Sequence, residues 1–286
     1  MLIVSHPANQ LGNCLRSILS CKILADCIGA EFAIDLSECL TSRAASTLIP
    51  ILFKDLLLTR PLPPFIQMID ERKCMRFTNV YGTNSEPDIE AVFNPKESFP
   101  KHGFAVAHIY SAKPHEMATA EYLSTKHREY RKLEFPGYLK ESVAQFSRCH
   151  DLPNLVGVHI RHADNLQDPL KAPLRTPLPI FERKLGRVFK NGRSILLCTD
   201  DDQVRDHLRT KYQQYVTLPD SVNQVFQPLY EMMLLAETSS VVGTYSSTFS
   251  YEACLFNGTD LELFEGGTWR TYRFSSVRQR AAAKTG

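Results

Sequence analysis

The chain contains no run of about 18 apolar residues, the length a helix needs to cross the hydrocarbon core of a membrane. Its first residues, MLIVSHPANQLGN, are apolar for four positions and then polar, which is short of the apolar stretch of a secretion signal. Both absences lead to the expectation of a soluble, cytoplasmic protein with no membrane span. Charge of one sign is lacking too: 33 basic and 31 acidic residues leave a formal net charge of +2. No broad field exists to recruit nucleic acid or an anionic membrane, so any anion site must be local. The eight cysteines, at 14, 21, 27, 39, 74, 149, 198 and 254, form no C-x-x-C pair, which argues against a zinc ribbon and a thioredoxin-type site. Cys21, Cys27, Cys198 and Cys254 sit in apolar contexts and are read as small core residues of a reduced protein. There is no G-x-G-x-x-G, no Walker A and no G-x-S-x-G sequence. What remains is globular composition: 286 residues, 43% hydrophobic, 22% charged and 10% aromatic, enough for one large domain or two ordinary ones.

Short apolar runs alternate with segments of helical period. Met1 to Ser5 reads as a strand, and apolar residues at 11, 15, 18, 19, 23, 24 and 28 predict an amphipathic helix over 11–28. EFAIDL at 31–36 supplies a second strand, so the chain opens as β-loop-α-β, the start of a parallel sheet. A helix is expected over about 43–58, ended by RPLPP at 60–64. Strands follow near 75–81 and 104–109, and helices near 115–131 and 137–148. From 151 the alternation sharpens. Strands are expected at 155–160, 193–198, 215–218, 239–243 and 260–264, and helices at 180–190, 201–210, 225–238 and 247–257. The reading is two α/β halves, 1–150 and 151–275, with a flexible basic tail over 276–286. A ligand is expected in the crevice between the halves, at the carboxyl ends of strands.

Four segments can carry chemistry. In GVHIRHAD (157–164) a buried strand runs straight into His159, Arg161, His162 and Asp164. Alternation puts His159 and Arg161 on one face and Ile160 on the other. Arg161 can present its planar fork to a phosphate, or form a structural ion pair with Asp164. In SSVVGTYSSTFSYEACLF (239–256) a strand ends at Gly243, and Ser246, Ser247 and Thr248 stand before a helix. Hydroxyls and free N–H groups there make an anion site, or an ordinary helix cap. In QLGN (10–13), Gly12 permits close backbone approach, and Asn13 can bond a sugar or phosphate or cap the helix. In TDDD (199–202), Asp200 and Asp202 formally make a D-x-D that can hold a metal-bound diphosphate. The more ordinary reading is a helix cap with acids in the first turn. His159 and His162 lack a third ligand partner, and no zinc site is expected.

These four segments, in this order and spacing, resemble the fucosyltransferase superfamily, which includes bacterial α1,2- and α1,6-fucosyltransferases, core α1,6-fucosyltransferases and protein O-fucosyltransferases. The resemblance implies an α/β fold of GT-B type, with two Rossmann-like domains whose parallel sheets face a central cleft. It implies residues 1–150 on the acceptor side and 151–275 binding the nucleotide sugar. It also implies inverting transfer of fucose from GDP-fucose to a hydroxyl of a glycan or glycoconjugate acceptor, with no metal or other cofactor required. By that likeness Arg161 holds the donor β-phosphate, and His159 positions the nucleotide or its phosphates. Ser247, Thr248 and Phe249 match the Ser-Thr-Phe element around the diphosphate, with Ser246 beside it. Asp200 lies near the base or ribose, and Gly12 and Asn13 lie over the donor. His162 stands where the family often has a second arginine, and Gln10 where some relatives carry a catalytic carboxylate. A UDP-sugar such as UDP-xylose can use the same scaffold.

For the base that takes the acceptor proton, the candidates are Asp164, His162 and His6, with Asp164 first because it follows Arg161 on the same loop. The proline-rich segment 168–179 is the expected acceptor-side loop. A D-x-D metal-dependent transferase and a non-catalytic nucleotide- or sugar-binding protein are the alternatives.

Overall fold

The computed structural model describes residues 2–5, 7, 10–36, 43–58, 67–68, 75–76, 91–93, 104–107, 112–114, 117–161, 176–245 and 247–283. Of the residues singled out above, His6, His162, Asp164, Ser246 and most of the segment 168–179 lie outside them, as does RPLPP.

Two compact units emerge, Met1–Phe135 together with Val277–Gly286, and Pro136–Ser276. The division falls at 135/136 rather than at 150, because the helix Gly137–His150 belongs with the second unit. Its Phe146 meets Tyr230 edge-on with ring centroids 6.3 Å apart.

In the first unit, β1 (Leu2–Ser5), α1 (Leu11–Ile28) and β2 (Glu31–Ile34) reproduce the expected β-α-β opening. Leu11, Leu15, Ile18, Leu19, Ile23 and Leu24 are buried along α1, the stripe that the spacing of apolar residues requires. Helix α2 (Arg43–Leu52) stops short of 58. Pro50 lies within it, and a proline ring both lacks an N–H and crowds the preceding turn. Backbone pairing defines the short strands β3 (Gln67–Met68), β4 (Met75–Arg76), β5 (Ala91–Phe93), β6 (Phe104–Ala107) and β7 (Ala112–Pro114). They form a parallel sheet ordered β2-β1-β6-β3 and a three-stranded sheet ordered β4-β5-β7. Helix α3 (Thr119–Lys132) packs on α1 through polar contacts. The Ser20 and Tyr122 hydroxyls lie 2.7 Å apart, and Lys22 pairs with Glu129 at 3.2 Å.

The second unit opens with α4 (Gly137–His150) and β8 (Val156–Ile160). There follow α5 (Leu178–Lys190), β9 (Ile195–Thr199), α6 (Asp202–Lys211), β10 (Val216–Thr217), α7 (Gln227–Glu237), β11 (Ser240–Gly243), α8 (Thr248–Asn257) and β12 (Leu261–Glu265). A strand not expected from the sequence, β13 (Thr268–Tyr272), closes the sheet antiparallel to β12. Gly266 and Gly267 connect them with φ of 54° and 86°, the left-handed pair that a tight two-residue hairpin demands. The sheet order is β10-β9-β8-β11-β12-β13. In chain order within the unit this reads third, second, first, fourth, fifth, sixth. The order is that of a doubly wound dinucleotide-binding sheet, whose direction of winding reverses between β8 and β11.

Two expectations need correction. The tail is helical, α9 (Ser275–Ala283), not loose from 276. Phe274 and Val277 are buried at its start, and the Asp260 carboxylate accepts the Ser275 N–H at 2.9 Å, an acid placed at the positive end of a helix. Cys27 is exposed, since it lies off the α1 stripe in the last turn. Cys21, Cys198 and Cys254 are buried as expected, and burial pushes the thiols of Cys198 and Cys254 well up. No helix among the described residues is long and apolar enough to cross a membrane.

Candidate functional site

The carboxyl ends of β8 and β11, where the winding reverses, are where such sheets take ligands. Every residue of β8 is buried, and His159 stands in register between Gly243 of β11 and Cys198 of β9. Val156, Val158 and Ile160 enter the core beneath Phe181, Leu185 and Phe189 of α5. Alternation therefore turns His159 to the opposite face, toward α8. There its Nδ1 lies 2.8 Å from Ser250 Oγ, and its ring stacks on Phe249 at 4.8 Å and 28°. Burial, and then the charge of Arg161, push its pKa down to about 3. The imidazole is neutral across the physiological range.

Helix α8 approaches this strand end closely. A Cβ on Gly243 would stand 2.7 Å from Ser250 Oγ and 2.8 Å from Ser250 Cβ. Glycine is required there for proximity, not for its φ. The next residue, Thr244, is buried and ties β11 to β8: its hydroxyl oxygen accepts the Arg161 N–H at 2.9 Å and donates to the His159 carbonyl at 3.1 Å. Its own carbonyl accepts the Ser247 N–H at 3.1 Å, turning the chain into α8.

Ser247 occupies the cap position of α8 but makes no side-chain capping bond. Its Oγ is buried and has no hydrogen-bond partner among the described residues. A buried hydroxyl of that kind calls for an explanation. A ligand at the uncapped helix start supplies one, because the first-turn N–H groups and the helix dipole favour an anion there. Arg161 leaves β8 beside this point. Its side chain is 25% exposed, and its Nε lies 4.0 Å from Asp200 Oδ2 at the end of β9.

The structure thus gathers His159, Arg161, Asp200, Ser247, Thr248 and Phe249 around three adjacent strand ends. Gly12 and Asn13 belong to the first unit, where they lie inside the first turn of α1 rather than in a turn before it. The cap position there is Gln10, which makes no side-chain capping bond.

Three residues that matter here were not singled out from the sequence. Thr244 and Ser250 lie within the quoted SSVVGTYSSTFSYEACLF. Ser250 stands three positions after the cap, on a buried helix face shared with Glu252, Ala253, Cys254 and Leu255. Glu231 of α7 accepts from the Gln227 amide at 2.9 Å. Burial pushes its carboxyl up, the Gln227 bond and Arg205 oppose that, and Asp200 reinforces it.

The TDDD segment divides its acids among separate tasks. Asp201, the middle residue, caps α6 by accepting from the Gln203 and Val204 N–H groups at 2.9 and 3.1 Å. Asp202 pairs with Arg205, and Asp200 faces Arg161. Asp201→Ala is expected to cost about 1 kcal/mol of stability through the lost cap. Asp202→Ala, which removes an acid 84% exposed, leaves stability nearly unchanged, because exposed pairs contribute little. Urea midpoints of the two variants check this contrast.

The second unit is thus a doubly wound α/β sheet with a strand-to-helix turn at its reversal point. Among solved structures the chain shares the GT-B fold of fucosyltransferases. The fucosyltransferase NodZ from Bradyrhizobium matches with a TM-score of 0.58 at 15% identity, over 95% of this chain and 98% of that one. NodZ α-1,6-fucosyltransferase co-crystallised with GDP matches at 0.56 and 15%, with the same coverage. A variant of Arabidopsis thaliana FUT1 in complex with GDP matches at 0.55 and 14%, over 93% of this chain and 72% of that one. At such identities the likeness is one of fold. In sequence, the chain matches no protein-family model and no curated protein.

Proposed function

We propose that this chain is an inverting glycosyltransferase that moves fucose from GDP-fucose onto a hydroxyl of a glycan or glycoconjugate, without a metal ion. One observation carries the reading. At the reversal point of the second sheet, Arg161, its guanidinium 4.0 Å from Asp200, follows β8 directly, and the neighbouring strand β11 turns into a helix whose cap hydroxyl is buried with no partner among the described residues. That arrangement suits a diphosphate. NodZ, which shares the fold, has been soaked with GDP-fucose, and this supports GDP-fucose as the first donor to try.

In this reading the second unit binds the donor, and the first unit, with the segment 168–179, faces the acceptor. The acceptor oxygen forms a bond to the anomeric carbon from the side opposite the diphosphate. The bond from that carbon to the β-phosphate oxygen breaks, and its electron pair leaves with GDP. The hydroxyl proton passes to a base, for which Asp164 is the first candidate and His162 and His6 the others. Growing charge on the departing phosphate is met by Arg161, by the Ser247 hydroxyl and by the Thr248 N–H at the helix start, already oriented before the reaction. Asp200 is assigned to the base or ribose, Ser246 and Phe249 to the diphosphate turn, and Gly12 and Asn13 to the donor. The fixed cation at Arg161, together with the separate engagement of Asp200 and Asp202, supports chemistry without a metal.

The test is release of GDP from GDP-fucose by purified protein in EDTA, with a panel of glycan acceptors. Turnover that persists in EDTA supports the proposal. Turnover only with added magnesium would overturn the metal-free mechanism, and turnover only with a UDP-sugar would overturn the donor assignment.

A further inference from the structure

We propose that Ser250 is a positioning residue that fixes the tautomer of His159, so that Nε2 carries the ring proton and is offered to a bound nucleotide as a neutral donor. The identity of the ligand rests on the functional reading above; the tautomer does not.

Ser250 lies in the first turn of α8 and is fully buried, and its Oγ has one hydrogen-bond partner among the described residues, His159 Nδ1 at 2.8 Å. A hydroxyl has a single proton to donate, while neutral imidazole has one donor and one acceptor nitrogen. If Nδ1 carried the proton, it would donate to Oγ and leave the buried serine O–H with no acceptor among the described residues. If Nδ1 is bare, the serine donates to it and both groups are satisfied. Leaving a buried donor unmade is the costlier arrangement. The proton therefore resides on Nε2, which has no hydrogen-bond partner among the described residues.

Two neighbours hold the pair in place. Phe249 stacks on the ring at 4.8 Å, and the missing side chain of Gly243 leaves the space that Ser250 fills. Arg161, just past the end of β8 and partly exposed, supplies the positive charge of the site, so His159 can serve as a donor without itself becoming a buried cation. The arrangement parallels the way a partner on one ring nitrogen sets the role of the other.

Ring-nitrogen NMR of histidine-labelled protein tests this, with His159 assigned by its absence from the spectrum of His159→Gln. At pH 7 the wild-type protein is expected to show the Nε2–H tautomer alone, and GDP is expected to shift the Nε2 signal. Ser250→Ala is expected to give a mixture of tautomers and to weaken GDP binding on the order of tenfold. Gly243→Ala, which pushes on Ser250 without removing its hydroxyl, is expected to do the same. An Nδ1–H tautomer in the wild-type protein would overturn the proposal, and that result needs no Ser250 or Gly243 variant to fold. So would a Ser250→Ala protein that keeps the wild-type tautomer. The expected tautomer, lost in Ser250→Ala but unmoved by GDP, would support the role of Ser250 and remove the nucleotide reading instead.

Discussion

Arg161→Ala is expected to lower kcat/KM for sugar transfer by about 10³-fold or more, the scale seen when a preorganised donor or cation is removed from a developing phosphate charge. The fold should tolerate the change. Arg161 is held at the β8 terminus by its backbone N–H bond to Thr244, which alanine retains. Its side chain lies 4.0 Å from Asp200 at a partly exposed position, where an ion pair contributes little. The expected melting temperature is therefore within about 2 °C of wild type. Arg161→Lys should recover only a small part of the activity, because a point charge does not reproduce the two-pronged guanidinium. Steady-state kinetics alongside thermal melts check both statements. An alanine variant that turns over normally would remove Arg161 from the site.

The second large effect is a pH-dependent stability carried by His159. Its native pKa, about 3, lies below the ordinary value of about 6.5 in an unfolded chain. As pH falls, the unfolded state takes up the proton first. The stability associated with the neutral ring is complete above about pH 6.5 and is lost as pH falls toward 3, at up to about 1.4 kcal/mol per unit. Between pH 7 and 5 the wild-type protein should therefore lose roughly 2 kcal/mol more than His159→Gln, in which that proton uptake is absent. Urea titrations of both proteins at the two pH values measure the difference. Equal losses would contradict a buried neutral His159.

The sequence and the structure agree most where one physical signal dominates. Helix α1 was legible to the residue, because its apolar stripe repeats at three- and four-residue steps and every stripe position but the terminal Ile28 is buried. Strand β8 was legible because VGVHI is β-rich and ends at polar residues. The β12-β13 hairpin carried its own signal in Gly266-Gly267, but TWRTY lacks the continuous apolar character of a buried strand, and as an edge strand it does not need it. The compact units divide before α4, which is amphipathic in its own right; its place in the second unit comes from packing such as Phe146 on Tyr230 and Tyr138 on Phe226, which no local pattern encodes. In the candidate site, Arg161 and Ser247 are singled out by residue type and position alone. Ser250 and Thr244 are not, because a serine inside a helix and a threonine after a strand acquire meaning only once β8 and β11 are neighbours. That adjacency is a long-range fact: it joins residues about 85 positions apart, and nothing local in either segment encodes it.

The central claim is that the strand ends of β8 and β11 form a nucleotide-diphosphate site. Its most direct test is a thermal and calorimetric titration of the purified chain with GDP, UDP and CMP, each in EDTA and in magnesium. A ligand that binds only the native state raises its melting temperature by mass action, by roughly 5 °C at a hundredfold excess over Kd for a chain of this size. Stabilisation by GDP in EDTA, absent in Arg161→Ala, is the predicted result. No stabilisation by any of the three nucleotides, with or without magnesium, would contradict it.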